Sequence, residues 1–170
     1  MTPTMLIAGI GNIFLGDDAF GVEVVRRLSS RKLPDSVRVI DFGIRGFDLA
    51  YALLDSYDVT ILVDATPRGG VPGTLYTIEP DLSALHNLEV QEPMIETHGM
   101  NPMRVFSLVK ATGGQLQRIL VVGCEPATLG PEEGLMGLSE PVQAAVDEAV
   151  GLIESLIMDI LEKEDRNAPR

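Results

Sequence analysis

The chain has 170 residues, of which 45% are hydrophobic and 22% are charged, with a formal net charge of −12 at pH 7. The acidic balance disfavours nucleic acid and anionic membranes as partners, and the single cysteine excludes an internal disulfide. We find no secretory signal or membrane span in the sequence, and we expect one cytoplasmic domain, residues 1–170, that is monomeric.

Apolar runs alternate with amphipathic segments along the chain, which predicts an α/β fold. We expect a three-layer sandwich with a mostly parallel, twisted five-stranded sheet between helices, and a frayed tail at 164–170. A polar, irregular stretch at 80–100 is long enough to be functional. The predicted elements are strand 5–11, helix 17–32, strand 37–42, helix 47–56, strand 59–65, edge strand 74–79, helix 101–111, strand 119–123 and helix 140–163.

A glycine-rich turn follows the first strand and ends in two adjacent acids, Asp17 and Asp18. Such turns usually bind phosphates, often with a lysine, but here Asp17 occupies the lysine position. Phe14 stands where the third glycine of a dinucleotide-binding motif belongs. Two negative charges suit a metal ion or a cationic group better than a phosphate. Because acids also cap the first turn of a helix, we expect one of the pair to do so and the other to face the cleft.

Three acids follow the carboxyl ends of predicted parallel strands: Asp18, by way of the glycine turn, Asp41 and Asp64. Ligands of α/β sheets bind beyond these ends, so the three acids are expected to be neighbours. Asp64 ends an apolar strand, where it is either a turn cap or a ligand, and Asp41 is either a turn former or a site residue. His98 lies in the long polar loop. One imidazole with two carboxylates suits a divalent metal such as zinc or nickel.

Other nucleophiles are poorly supported by the sequence. Cys124 ends the last strand with no histidine near it in sequence, so we expect a small buried side chain. No serine lies in the Gly-x-Ser-x-Gly motif of serine hydrolases.

Several short motifs occur in a specific order over nearly the whole chain. They are Gly9-Ile10-Gly11-Asn12, Leu15-Gly16-Asp17-Asp18-Ala19-Phe20-Gly21, Asp41-Phe42-Gly43 with Gly46, Val63-Asp64-Ala65, His98, and Val121-Val122-Gly123-Cys124-Glu125-Pro126. In this succession the chain resembles the maturation endopeptidases of [NiFe]-hydrogenases. Three positions depart from the family pattern: Asp18 stands where glutamate is frequent, Ala19 where glycine is common, and Ile44 where threonine is frequent.

The resemblance implies an aspartic-type endopeptidase that removes a C-terminal peptide from a hydrogenase large-subunit precursor once nickel is in place. The family's metal-binding triad would fall on Asp18, Asp64 and His98, and a further aspartate linked to substrate handling would fall on Asp41. We expect all four to be catalytic residues, with Asp41 a candidate general base. Nickel is expected to be carried by the precursor, and other divalent metals to substitute for it. The alternative is a non-cleaving, metal-dependent checkpoint or chaperone for the same precursor.

Overall fold

Five strands and four α-helices form the part of the chain that the computed structural model describes, residues 1–87, 100–129 and 136–167. Two 3-10 helices, Gly16–Ala19 and Leu82–Asn87, are present as well. The predicted α/β class and the order of its elements are confirmed. The elements are β1 (Met5–Ile10), α1 (Phe20–Leu28), β2 (Val37–Gly43), α2 (Gly46–Leu53), β3 (Val59–Ala65), β4 (Leu75–Ile78), α3 (Pro102–Ala111), β5 (Arg118–Cys124) and α4 (Glu140–Asn167).

The strands form a single sheet in the order β2-β1-β3-β5-β4. The first four strands in this order run parallel, and β4, predicted as an edge strand, lies at one edge and pairs antiparallel with β5. From β1 the chain crosses first to β2 on one side and later to β3 on the other, so the strand order switches between β1 and β3. A crevice opens at such a switch, beyond the carboxyl ends of the strands, and ligands bind there in open α/β sheets.

Helices cover both faces of the sheet. Successive side chains of a strand point to opposite faces, and because the buried strands are largely apolar on both sides, both faces must be covered. Met5 and Ile7 of β1 belong to the core beneath α1 and α4, whereas Leu6 and Ala8 belong to the core beneath α2 and α3. This arrangement confirms the predicted three-layer sandwich.

Three helices differ from the predicted bounds, and one of them, α2, ends at Leu53 rather than at 56. The first was expected to span 17–32, but Gly16–Ala19 form a 3-10 helix and α1 ends at Leu28, after which the N–H groups of Ser30 and Arg31 donate to carbonyls three residues back rather than four. At the C-terminus, α4 continues to Asn167, so 164–167 are helical and the fraying of 164–170 stays a prediction.

The stretch expected to be irregular, 80–100, contains the 3-10 helix Leu82–Asn87, and 88–99 lie outside the described residues. In the described ranges, no helix has the length and hydropathy needed to cross a membrane.

Candidate active site

The glycine turn after β1 holds the backbone of Asp18 by direct contact. Gly11 has a φ of +142°, and a Cβ there would lie 1.7 Å from the carbonyl oxygen of Asp18. Its N–H donates to the carbonyl of Gly43 at the end of β2, at 3.0 Å. A glycine is required here both for the dihedral angle and for the space, and the turn thereby brings the ends of β1 and β2 to the acid-bearing 3-10 helix.

A second close contact brings α1 onto the ends of β1 and β3. A Cβ on Gly21 would lie 2.0 Å from the carbonyl oxygen of Val63 and 2.4 Å from that of Ile10. The backbone of α1 therefore lies directly against the residue that precedes Asp64. This contact positions the 3-10 helix containing Asp18 over the switch point.

Asp18 and Asp64 are brought close enough for their charges to interact. The backbone N–H of Asn12 donates to Oδ2 of Asp18 at 2.7 Å. Burial raises the pKa of Asp18, and this hydrogen bond partly opposes the rise. Burial, and after it the charge of Asp18, raise the pKa of Asp64 well above its usual value, against a lowering contribution from the N–H of Ala65. Asp64 therefore interacts with the N–H of Ala65, the last residue of β3, and with the charge of Asp18.

Asp17, in contrast, is fully buried and points away from this pair. Its carboxylate accepts hydrogen bonds from Ala127, Thr128 and Ser139. The prediction that one acid of the pair caps the helix it opens is wrong, because neither the 3-10 helix nor α1 has a side-chain cap.

Asp41 lies on the face of the sheet that α1 covers. It pairs with Gly9 of β1, which in turn pairs with Val63, and Val63 belongs to the core beneath α1. The Oδ2 atom of Asp41 is 3.7 Å from Nε of Arg26 on α1. Asp64 is one residue beyond Val63, so the alternation of the strand directs it to the opposite face. The structure thus brings together Asp18 and Asp64, and it places Asp41 against an arginine.

A pocket of about 310 Å³ opens between the glycine turn and the β2–α2 turn. Asn12, whose N–H donates to Asp18, lies in its wall, so the pocket adjoins the turn that binds Asp18. Two larger pockets lie near the amino ends of strands, away from the switch point. The pocket is lined by Gly11, Asn12, Ile13, Phe14, Val22, Arg26, Asp41, Phe42, Gly43, Ile44 and Arg45.

In residues 1–87, 100–129 and 136–167, no three histidine, cysteine, aspartate or glutamate side chains come together as a metal site. The third predicted ligand, His98, lies outside the described residues. The assignment of Asp18, Asp64 and His98 as a metal triad therefore stays a prediction.

Comparison with known proteins identifies the family. The profile of the hydrogenase maturation protease family (HycI) matches residues 22–156. The chain belongs to this family.

Individual members of the hydrogenase maturation protease family match the chain over most of its length. A putative hydrogenase maturation protease of Methanocaldococcus jannaschii is 36% identical over 88% of this chain and 93% of its own. The hydrogenase maturating endopeptidase HybD of Escherichia coli superposes with a TM-score of 0.71 at 26% identity, covering 92% of this chain and 93% of its own. The [NiFe] hydrogenase maturation protease HycI of Thermococcus kodakarensis superposes at 0.62 and 30% identity, covering 95% and 94%. The protein is therefore an enzyme, an endopeptidase of hydrogenase maturation.

Glu125 is a further buried acid of the protease, directly after β5, that the sequence analysis did not single out. It is 5% exposed and accepts from the N–H groups of Arg68 and Gly69, at 2.8 and 3.1 Å, and from the hydroxyl of Tyr76 at 2.9 Å. It thereby holds the loop that follows Asp64. An acid directly after a buried strand was the available signal, the same one that marked Asp64.

Cys124 matches its prediction as a small buried side chain. Burial, with the charges of Asp17 and Glu125, raises the pKa of its thiol to about 11. Such a thiol is a poor nucleophile at neutral pH.

Proposed function

We propose that this protease removes a C-terminal peptide from a [NiFe]-hydrogenase large-subunit precursor after nickel insertion, and that nickel in the precursor is its recognition element. The observation that carries the proposal is the meeting of Asp18 and Asp64 at the switch point, beside an open pocket. Nickel is here part of the substrate, because it arrives with the precursor.

The chemistry of the acid pair fits a divalent cation. Two carboxylates that repel each other are stabilised by a cation between them, which offsets both the repulsion and the cost of burial. In the described part of the chain, neither Asp18 nor Asp64 forms an ion pair with an arginine or lysine. With the imidazole of His98, the set would offer the mixed oxygen and nitrogen ligands that borderline metals accept.

The adjoining pocket fits a polypeptide better than a free ion. Phe14 and Ile44 line it although 56% and 53% of their surfaces are exposed, so they offer apolar contact area to a partner. We assign Asp41 to substrate handling, because its carboxylate lines this pocket and contacts Arg26. Its role as a general base stays a prediction.

Recognition of nickel would act as a check on precursor maturity. A protease whose acid pair contacts nickel binds the loaded precursor more tightly than the empty one, and this difference in affinity sets how selectively it cuts. A docked precursor without nickel supplies no positive charge to offset the repulsion between the carboxylates of Asp18 and Asp64.

Incubation of the protease with nickel-loaded and nickel-free precursor, followed by mass spectrometry, tests the proposal. We expect a C-terminal fragment to be lost only from the loaded form. Stable binding with unchanged mass would instead support the non-cleaving checkpoint, and equal cleavage of both forms would remove nickel as the recognition element.

Substitutions in the pair test the assigned residues. Asp64→Ala and His98→Ala are expected to abolish cleavage while the circular dichroism spectrum and melting behaviour stay those of a folded protein. Asp159→Ala, which changes an exposed acid on α4, is the matched control and should cleave normally. Full activity in the Asp64 or His98 variant would contradict the assignment.

A further inference from the structure

Asp17 is a buried carboxylate that joins three separate segments of the chain. Its exposed fraction is 0%. Oδ2 accepts from the backbone N–H groups of Ala127 and Thr128, at 2.8 and 3.1 Å, and from the hydroxyl of Ser139 at 2.8 Å. Oδ1 accepts from the backbone N–H of Ser139 at 2.7 Å, and the N–H of Asp17 itself donates to the carbonyl of Thr128 at 3.1 Å.

The donors lie at two ends of one connection, the segment between β5 and α4. Ala127 and Thr128 follow β5, and Ser139 immediately precedes α4. One carboxylate therefore fastens the beginning and the end of this connection to the 3-10 helix that contains Asp17.

The position of the carboxylate explains how a charge is tolerated there. The carbonyl of Ser139 accepts from the N–H of Gln143 at 2.8 Å, so Ser139 is the N-cap residue of α4, a helix of 28 residues. The positive end of this helix dipole and four hydrogen-bond donors stabilise a negative charge. Among the described residues no arginine or lysine forms an ion pair with Asp17.

Asp18 follows Asp17 directly, and its own backbone is confined from the other side. The close approach of Gly11 to the Asp18 carbonyl leaves no space for a Cβ. The carboxylate of Asp18 then accepts the N–H of Asn12 at 2.7 Å. The backbone of Asp18 is therefore held by Asp17 on one side and by the glycine turn on the other, and its carboxylate lies close enough to Asp64 for their charges to interact.

We propose that Asp17 is a positioning residue. Its hydrogen bonds keep the carboxylate of Asp18 close to that of Asp64, and this position therefore depends on the contact between Asp17 and the β5–α4 connection. The inference rests on the proposed function for its catalytic meaning, because Asp18 matters to the reaction only if the acid pair contacts the precursor's nickel. The geometric part of the inference is independent of nickel and of the precursor.

Asp17→Asn is the informative substitution. An asparagine has one acceptor oxygen, so its amide nitrogen must face at least one of the four donors. The hydrogen bonds to the β5–α4 connection are therefore weakened with almost no change in side-chain volume. Ser139→Ala is a milder variant that removes the hydroxyl donor and keeps the backbone N–H. Glu125→Gln is the matched control, because Glu125 is also a buried acid that accepts from backbone N–H groups, but those groups belong to Arg68 and Gly69 in the loop after β3.

Amide hydrogen exchange of the metal-free protein, measured residue by residue by NMR, separates positioning from a merely structural role. The N–H of Asn12 reports on the Asp18 carboxylate, because it donates to Oδ2 of that side chain. We expect its protection to fall about tenfold in Asp17→Asn, the effect of losing one charged hydrogen bond, by less in Ser139→Ala, and not at all in Glu125→Gln.

Unchanged protection of Asn12 in Asp17→Asn, with faster exchange confined to Ala127, Thr128 and Ser139, would overturn the proposal. An equal loss in Glu125→Gln would overturn it too, because it would indicate general loosening. If Asp17→Asn does not fold, Ser139→Ala decides by the same readout. Equal binding of nickel-loaded and nickel-free precursor by the wild-type protease would refute the proposed function and leave the exchange result standing.

Discussion

Gly21 offers the sharpest test of how the fold builds the acid pair. Replacement by alanine adds one methyl group to the buried face of α1. That group would lie 2.0 Å from the Val63 carbonyl oxygen and 2.4 Å from that of Ile10, whereas ordinary contact begins at 3.4 Å. Both obstacles are backbone atoms in buried strands, so no side-chain rotation relieves them. We expect α1 and the preceding 3-10 helix to move away from the sheet by roughly one ångström.

The displacement has two measurable costs. Overpacking of this kind costs about 1–3 kcal/mol, and the higher helix propensity of alanine returns ~0.5–1 kcal/mol. For a chain of this length a net loss of ~1–2 kcal/mol lowers the melting temperature by about 2–8 °C. A misplacement of Asp18 by about 1 Å is expected to slow precursor cleavage on the order of 100-fold.

Thermal melting and cleavage of nickel-loaded precursor measure these two effects in Gly21→Ala. Gly151→Ala is the matched control, because Gly151 is also helical and nothing lies within 4 Å of the position of its Cβ. This control should melt slightly higher than the wild type and cleave at the normal rate. If Gly21→Ala cleaves as fast as Gly151→Ala, the close approach of α1 is not what positions the acid pair.

Three further predictions concern individual side chains. In metal-free protein Asp64→Asn should raise the melting temperature at pH 7, because burial and a neighbouring acid raise the pKa of Asp64 and its ionisation therefore destabilises the folded state. This gain in melting temperature should disappear as the pH falls toward 3.8, the ordinary pKa of the side chain. A lower melting temperature of the variant at pH 7 would contradict the prediction. Cys124, with a pKa of about 11, should react with a thiol reagent roughly 100-fold more slowly in native than in unfolded protein, and rapid native labelling would contradict its burial. Tyr76→Phe removes a donor to Glu125 and should accelerate amide exchange in loop 68–70 with unchanged exchange in α4; uniform acceleration would indicate a global effect.

Strands and helix ends were predictable where local chemistry decides them. The strand predicted at 59–65 is β3 as observed, because a mostly apolar run rich in β-branched residues is typical of the middle of a covered sheet. Asn101 accepts the N–H of Met103 at 3.0 Å and Pro102 begins α3, as a cap residue followed by proline indicates. No long-range information was needed for either.

The different contacts of Asp17 and Asp18 could not be predicted from the sequence. Two identical adjacent residues have the same local propensities, and helix capping was the best local explanation for one of them. The partners that distinguish them are distant in sequence, since Ala127 and Ser139 are 110 and 122 residues from Asp17. Only the packed fold shows which acid is the anchor and which faces Asp64.

The sequence by itself indicated the family, the α/β class and the acids at the strand ends, because glycine turns, apolar strands and terminal aspartates are local features. Tertiary structure decided the rest. The pleat and register of β2 turn Asp41 toward Arg26 on α1, and the backbone contact at Gly21 brings Asp18 to the end of β3. The positions of Asp41 and Asp18 depend on which face of the sheet a side chain occupies and on close contacts between backbones, and both are set by the packing of segments far apart in the chain.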